Sequence, residues 1–187
     1  MITISLSGGI GNQLFMKSFL IAYAKKHNLE YVLPKKSNNC HKKEPYIFPN
    51  LNYSDNIPNL PIVKEEHFHY SEIPKMDNVC FDGYFQSWKY FDWCIDDIRE
   101  LFGFKYQEQK GVVSIHVRRG DYLRLPDHHP FVGEEYLESA VDRMTRETGI
   151  DKFRVFSDDI PWCKEFFQKL HGEFEYSEGG TEVSDLE

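Results

Sequence analysis

Val112-Val113-Ser114-Ile115-His116-Val117-Arg118-Arg119-Gly120-Asp121-Tyr122 is the stretch on which the fold reading turns. Its first six residues are strongly β-prone, as expected of a strand buried on both faces. Two arginines then leave the strand, and a glycine lets the backbone bend. A loop from Arg118 to Gly133 leads to a predicted helix over Glu134–Thr148, with Leu137, Ala140, Val141 and Met144 as its apolar stripe and Gly149 just past its end. Phe153-Arg154-Val155-Phe156 reads as the next strand. Ser157-Asp158-Asp159 can cap a helix carrying Phe166, Phe167 and Leu170, which Gly172 stops before a short third strand at Phe174–Tyr176. Strand, helix, strand, helix, strand predicts α/β architecture with a mostly parallel sheet.

The same alternation opens the chain. Ile2, Ile4 and Leu6 alternate with Thr3, Ser5 and Ser7, a period-2 strand signal. Gly8-Gly9-Ile10-Gly11 follows, with Asn12 as a candidate N-cap for a helix from Gln13 to His27. Asn28 can end that helix, and Glu30–Leu33 reads as a second strand stopped by Pro34. From Pro34 to Asp77 the periodicity is poor and prolines recur, which predicts excursions and short strands. Order returns at Val79–Gln86, and Asp92 can cap a helix that runs to Phe102 and ends at Gly103. A polar stretch from Gln107 to Gly111 reads as a linker. The division expected is therefore two Rossmann-like domains, 1–106 and 111–187, the second ending early.

The chain has 187 residues and 22.1 kDa, room for one domain or two small ones. Lys plus Arg number 22 against 30 Asp plus Glu, a net charge of −8, which argues against a protein that grips nucleic acid by bulk charge. Six of those acids (Glu173, Glu175, Glu178, Glu182, Asp185, Glu187) follow Gly172 with no Lys or Arg among them, so the rest of the chain is only −2. No run approaches the ~20 apolar residues of a membrane span. The first residues lack the basic flank and small-residue cleavage site of a signal peptide. Cys40, Cys80, Cys94 and Cys163 are scattered and read as thiols rather than a disulfide framework. The compartment expected is the cytoplasm, with room for peripheral association with the inner membrane.

Arg118 and Arg119 stand where ligands bind in open α/β sheets, at the carboxyl end of a strand. A guanidinium fork there suits a phosphate or pyrophosphate, because it donates two parallel charge-assisted hydrogen bonds. His116 can orient a phosphate or sugar, or sit satisfied at a strand end. The Gly8–Gln13 turn can bring backbone N–H groups and a helix N-terminus to an anion. It is neither GxGxxG nor a Walker loop, and a plain tight β–α turn explains it as well. Of Asp158 and Asp159, one suffices for helix capping and the other is left to accept N–H donors from a base such as guanine. His67 with His69, and His128-His129 beside Asp127, are loop histidines without recognisable metal spacing. Arg119-Gly120-Asp121 also spells an adhesion tripeptide, a chance recurrence at this length.

Four elements line up with one family: Gly8-Gly9-Ile10-Gly11-Asn12-Gln13-Leu14-Phe15, Gly83-Tyr84-Phe85-Gln86-Ser87-Trp88-Lys89-Tyr90-Phe91, His116–Tyr122, and Phe156-Ser157-Asp158-Asp159 with Trp162-Cys163. In order and rough spacing they resemble the α-1,2-fucosyltransferases of glycosyltransferase family 11. The resemblance implies a GT-B fold, two Rossmann-like domains facing a cleft. It also implies metal-independent, inverting transfer of L-fucose from GDP-β-L-fucose to the 2-hydroxyl of a galactose-type acceptor glycan, with no cofactor. By the same resemblance Arg118 holds the donor pyrophosphate, with His116 and Arg119 as its neighbours. Asp158 accepts hydrogen bonds from guanine, and Gly9, Gly11, Asn12 and Gln13 face the donor from the N-terminal domain. Asp121 is a candidate general base or a residue that orients Arg118. The family continues through a further βαβ stretch with a serine- and tryptophan-rich motif, and this sequence stops in what reads as its acidic lead-in. The expectation is a donor domain of three strands with an open edge, low stability and an inactive truncated chain as the alternative to an active enzyme.

Overall fold

The helix after the first strand, α1 (Ile10–His27), is buried at every residue from Met16 to Ala24. A helix covered on all sides belongs in the middle of its unit, and α1 is the centre of the N-terminal core. It starts earlier than the sequence suggests. Gly9 occupies the cap position, and Asn12 lies in the first turn with its carboxamide engaged elsewhere. Asn28 ends it in the left-handed conformation at φ 53°, its N–H donating to the Ala24 and Lys25 carbonyls.

The computed structural model describes residues 1–37, 39–40, 45–103, 110–124, 127 and 132–179. The chain divides into two compact units, Met1–Lys105 and Tyr106–Glu187. Residues 107–109 of the linker expected at 107–111, His128-His129 and the acidic residues 182, 185 and 187 lie outside the described residues.

In the first unit β1 (Thr3–Ile4) pairs in parallel with β5 (Cys80–Asp82), and β4 (Ile62–Lys64) pairs with β5 on its far side. Ile2 bridges to Tyr31, and beyond it β2 (Leu33–Pro34) pairs in parallel with β3 (Tyr53–Ser54). The strands are shorter than the apolar alternation predicts. Thr3 is buried along with Ile2 and Ile4, and its hydroxyl is satisfied by donating 2.7 Å to the Val32 carbonyl. Two 3₁₀ turns, Trp88–Tyr90 and Asp92–Cys94, lead into α2 (Ile95–Phe102), which stops at Gly103 with φ 72°. Asp92 therefore opens a tighter turn than expected, and the α-helix proper begins three residues later.

The second unit is a three-stranded parallel sheet in the order β6 (Val113–Val117), β7 (Lys152–Ser157), β8 (Glu173–Tyr176). A short helix α3 (Gly120–Arg124) interrupts the loop after β6, followed by α4 (Glu134–Thr148) and, after β7, α5 (Ile160–Phe167). Gly149 ends α4 in the left-handed region, where glycine pays no steric penalty. β6 corrects the expectation of a strand buried on both faces, since Ser114 and His116 are exposed. The reason is topological. With strands in sequential order and right-handed crossovers, both connecting helices fall on the same face of the sheet. Val117, Phe153 and Val155 pack there against Leu137, Val141, Cys163 and Phe167, leaving the opposite face with His116 open.

Candidate functional site

Parallel pairing sets His116 beside Phe156 and Val117 beside Ser157, so the segments leaving β6 and β7 start at neighbouring points on one sheet edge. Asp158 bridges them. Its Oδ1 accepts from the Arg119 backbone N–H at 2.8 Å and its Oδ2 from the Gly120 N–H at 3.1 Å. A carboxylate holding two successive amides fixes the turn at the start of α3 and complements its positive end. A Cβ at position 120 would stand 2.8 Å from Asp158 Oδ2, so any side chain there must displace that carboxylate.

The two arginines point into different environments. Arg118, with a 44% exposed side chain, donates from Nε to Asp121 Oδ1 at 2.8 Å and from Nη2 to Asp121 Oδ2 at 3.0 Å. That bidentate pairing with Asp121 is the main cause holding the Arg118 guanidinium pKa above its ordinary value. Arg119 is only 15% exposed. Its Nε donates to Asp159 Oδ2 at 3.0 Å, and its guanidinium lies 3.8 Å from the centre of the Trp162 ring. Asp159 Oδ1 meanwhile caps α5 by accepting from the Trp162 N–H at 3.3 Å. Arg119 is thus a packed wall, and Arg118 is the exposed cation on the sheet edge.

A comparable edge exists in the first unit. The Gly8–Asn12 turn follows β1 and the Gly83–Gln86 turn follows β5, and the two meet where Gln86 Nε2 donates to Asn12 Oδ1 at 2.7 Å. Glu65, just after β4, holds the second turn: its Oε2 accepts from the Tyr84 N–H at 2.8 Å and the Phe85 N–H at 3.0 Å. Gly83 leaves room for that carboxylate, which a Cβ would meet at 2.7 Å. Phe85 is held at φ 49°, an uncommon conformation for a bulky residue, with its ring stacked 3.8 Å from Phe19. Under the glycine turn lies a buried polar cluster. Gln13 donates from Nε2 to the Gly8 carbonyl at 3.1 Å and accepts at Oε1 from the Tyr46 N–H at 2.8 Å. Lys17, fully buried, donates from Nζ to Gln13 Oε1 at 3.4 Å and to the Tyr46 carbonyl.

The profile of glycosyl transferase family 11 matches residues 33–187. The chain belongs to that family. It is 26% identical to an alpha-1,2-colitosyltransferase of Escherichia coli over 97% of this chain and 78% of that protein. It is 27% identical to a galactoside 2-alpha-L-fucosyltransferase of Mus musculus, over 98% of this chain, and to galactoside alpha-(1,2)-fucosyltransferase 2 of the same species, over 97%. It spans 56% and 59% of the lengths of those two mouse relatives. No solved structure matches it.

In this family 11 chain Arg118, Asp121, Arg119 and Asp158 come together at one edge, as their positions after adjacent strands allow. His116 lies on the open face of the same sheet. Gly9, Gly11, Asn12 and Gln13 belong to the separate first unit, where Gln13 is buried and supports the turn from below. Sequence reasoning missed Gln86, Glu65, Lys17 and the role of Asp159. Gln86 stands inside a quoted motif, but nothing in the sequence indicates that it reaches a residue 74 positions away. The adhesion tripeptide is not displayed as a free loop, since Arg119 is packed on Trp162 and Asp121 is paired to Arg118. All four cysteines are free thiols. Among the described residues no three His, Cys, Asp or Glu side chains group closely enough to share a metal ion, and His67 stacks on His69 at 5.0 Å. No described helix is long and apolar enough to cross a membrane.

Proposed function

We propose that this chain transfers L-fucose from GDP-β-L-fucose to the 2-hydroxyl of a galactose-type acceptor, with inversion and without a metal ion. One observation carries the reading: in a family 11 chain, an exposed arginine stands at the carboxyl end of β6 with its fork already aligned on a carboxylate. In the reaction proposed, the acceptor hydroxyl attacks the anomeric carbon and gives up its proton to solvent, the bond from that carbon to the β-phosphate oxygen breaks, and GDP leaves with the bonding electrons. Negative charge grows on the β-phosphate, and a guanidinium placed there stabilises the transition state more than the ground state. Arg118 is the residue proposed to do this, with Arg119 adding positive potential from behind.

Asp158 keeps the arginine-bearing turn rigid. A carboxylate offers about four lone-pair sites, so its oxygens also remain candidates to accept guanine N–H donors. Asp121 is better supported as the residue that orients Arg118 than as the base that takes the acceptor's proton, because both of its oxygens lie on the arginine fork. Asn12 with Gln86 is the corresponding polar pair on the first unit. The GT-B arrangement implied by the sequence resemblance is part of this proposal. A second reading, transfer of a colitosyl group, is favoured by the name of the bacterial relative, of which the chain covers 78%.

The test is turnover by the longest form of the protein with GDP-fucose and with nucleotide-activated colitose, alongside GDP calorimetry. Losing a charge-assisted hydrogen bond costs about 1.5–3 kcal/mol, so Arg118→Ala is expected to weaken GDP binding by roughly ten- to a hundred-fold. Arg118→Lys is expected to rescue little, because a point charge cannot reproduce the fork. Unchanged GDP affinity in both variants would overturn the assignment.

A further inference from the structure

The first unit carries a second concavity, away from the glycine turn and towards the carboxyl end of α1. Its volume is 460 Å³, within the range of small-molecule sites, and it is bounded by the last turns of α1, the segment 70–73 and the residues around Tyr90 and Trp93. Phe19, the first residue of α1 to line the hollow, is seven residues beyond Asn12, so the hollow begins about 10 Å along the helix from the glycine turn.

Its walls are aromatic and rigid. Trp93 is 53% exposed and Tyr70 36%, both on the rim, and Tyr70 packs 4.9 Å from Tyr90. The segment 70–76 is pinned by two phenols. Tyr90 Oη accepts from the Ser71 N–H at 3.2 Å, while Tyr23 Oη accepts from the Met76 N–H at 2.7 Å and donates to the Pro74 carbonyl at 2.6 Å. The hollow is therefore formed before anything binds.

Its polar groups are mostly cationic. Lys25 pairs with Asp97, and Lys26 stands 3.8 Å from Glu72, but Lys89 forms no ion pair among the described residues. Among the described residues Glu72 is the one acid lining the space, against Lys25, Lys26 and Lys89.

We propose that this hollow binds a saccharide bearing an acidic group, its apolar ring face against Trp93 and Tyr70 and its carboxylate near Lys89. Flat aromatic rims suit the C–H face of a pyranose, and an unpaired lysine beside them suits a carboxylate. The inference rests on the glycan-acceptor reading, which it deepens by naming the acceptor class, an acidic glycan.

The test uses the whole 187-residue chain with 3′-sialyllactose and lactose as probes, following the indole N–H signals of its three tryptophans. The expected result is a saturable shift of the Trp93 signal, at least threefold tighter for 3′-sialyllactose than for lactose. Trp93→Ala and Tyr70→Ala, both at exposed rim positions, are each expected to weaken binding tenfold or more while GDP affinity stays unchanged. Lys89→Met is expected to erase the preference for the acidic probe. No Trp93 shift at tens of millimolar probe, a shift that survives both aromatic variants, or equal binding of the two probes would overturn the proposal. Loss of GDP-fucose turnover with saccharide binding intact would count against the transferase reading and leave this site standing.

Discussion

Replacing Lys17 with methionine is expected to stabilise the protein near neutral pH and to remove a pH dependence that the native chain carries. Lys17 is fully buried in the first unit, with Nζ 4.9 Å from the centre of the Phe48 ring. Burial lowers its pKa from 10.5 to about 7, a fall that the nearby Cys40 only partly opposes. In the unfolded chain the amine keeps its ordinary value. Between pH 7 and 10.5 the unfolded state therefore binds a proton that the folded state lacks, and stability must rise with pH across that window. Below pH 7 both states hold the proton, the slope vanishes, and the folded state carries the whole cost of a buried charge. The slope is at most about 1.4 kcal/mol per pH unit, and over the whole window it amounts to about 5 kcal/mol. Methionine is a close match in length and leaves neither acceptor orphaned. Gln13 Oε1 still receives the Tyr46 N–H at 2.8 Å, and the Tyr46 carbonyl still receives the Tyr53 hydroxyl at 3.3 Å. Urea unfolding of both proteins at pH 6.5, 8 and 9.5 checks this. The variant is expected to be the more stable at pH 6.5, with the gap closing as pH rises. A gap that stays constant across the three pH values would refute the reasoning.

Gly120→Ala is expected to cut GDP affinity at least tenfold with a smaller loss of thermal stability, because the new methyl displaces the Asp158 carboxylate that holds the arginine-bearing turn; calorimetry and a melting curve separate the two effects. Asp158→Asn turns an amide donor towards one of two backbone N–H groups and is expected to destabilise the second unit by about 1–3 kcal/mol, measurable by denaturant unfolding. Glu65→Gln disturbs the Tyr84 and Phe85 amides in the same way, and should raise KM for the acceptor more than it lowers GDP affinity if Gln86 faces that substrate. Turnover of the longest form in excess EDTA is expected to persist, and its loss with recovery on adding magnesium or manganese would show that the arginines do not stand in for a metal.

Helices whose ends carry their own punctuation were legible in the sequence. Gly103 and Gly149 both adopt the left-handed conformation their positions suggest, and the apolar stripe of α4 puts Leu137 and Val141 in the core. The donor-side cluster was partly legible, because residues that follow adjacent parallel strands must emerge on one edge. Which partner each would choose was not. Asp158 binds backbone rather than a side chain, while its neighbour Asp159 takes both Arg119 and the α5 cap. Either acid satisfies the local capping rule, and only the register of β6 on β7 separates them. The same limit explains the early start of α1: Asn12 is a good local cap, but a hydrogen bond from Gln86 outcompetes that use. Exposure of His116 was hidden for another reason, since the face a strand buries depends on where the crossover helices fall.

The pairing of β1 with β5 sets the order in which the chain can be assembled. Thr3 and Ile4 wait for Cys80 and Phe81, and loop closure over that span is slow compared with the neighbour-to-neighbour pairing of β6, β7 and β8. At about 5–20 residues per second, a ribosome takes about 3–10 s to deliver β5 after α1 has been made. During that interval α1, with Phe19 and Leu20 destined for the core, has only part of its cover. The first unit thus holds apolar surface open during synthesis, although it is the one with the larger core once folded.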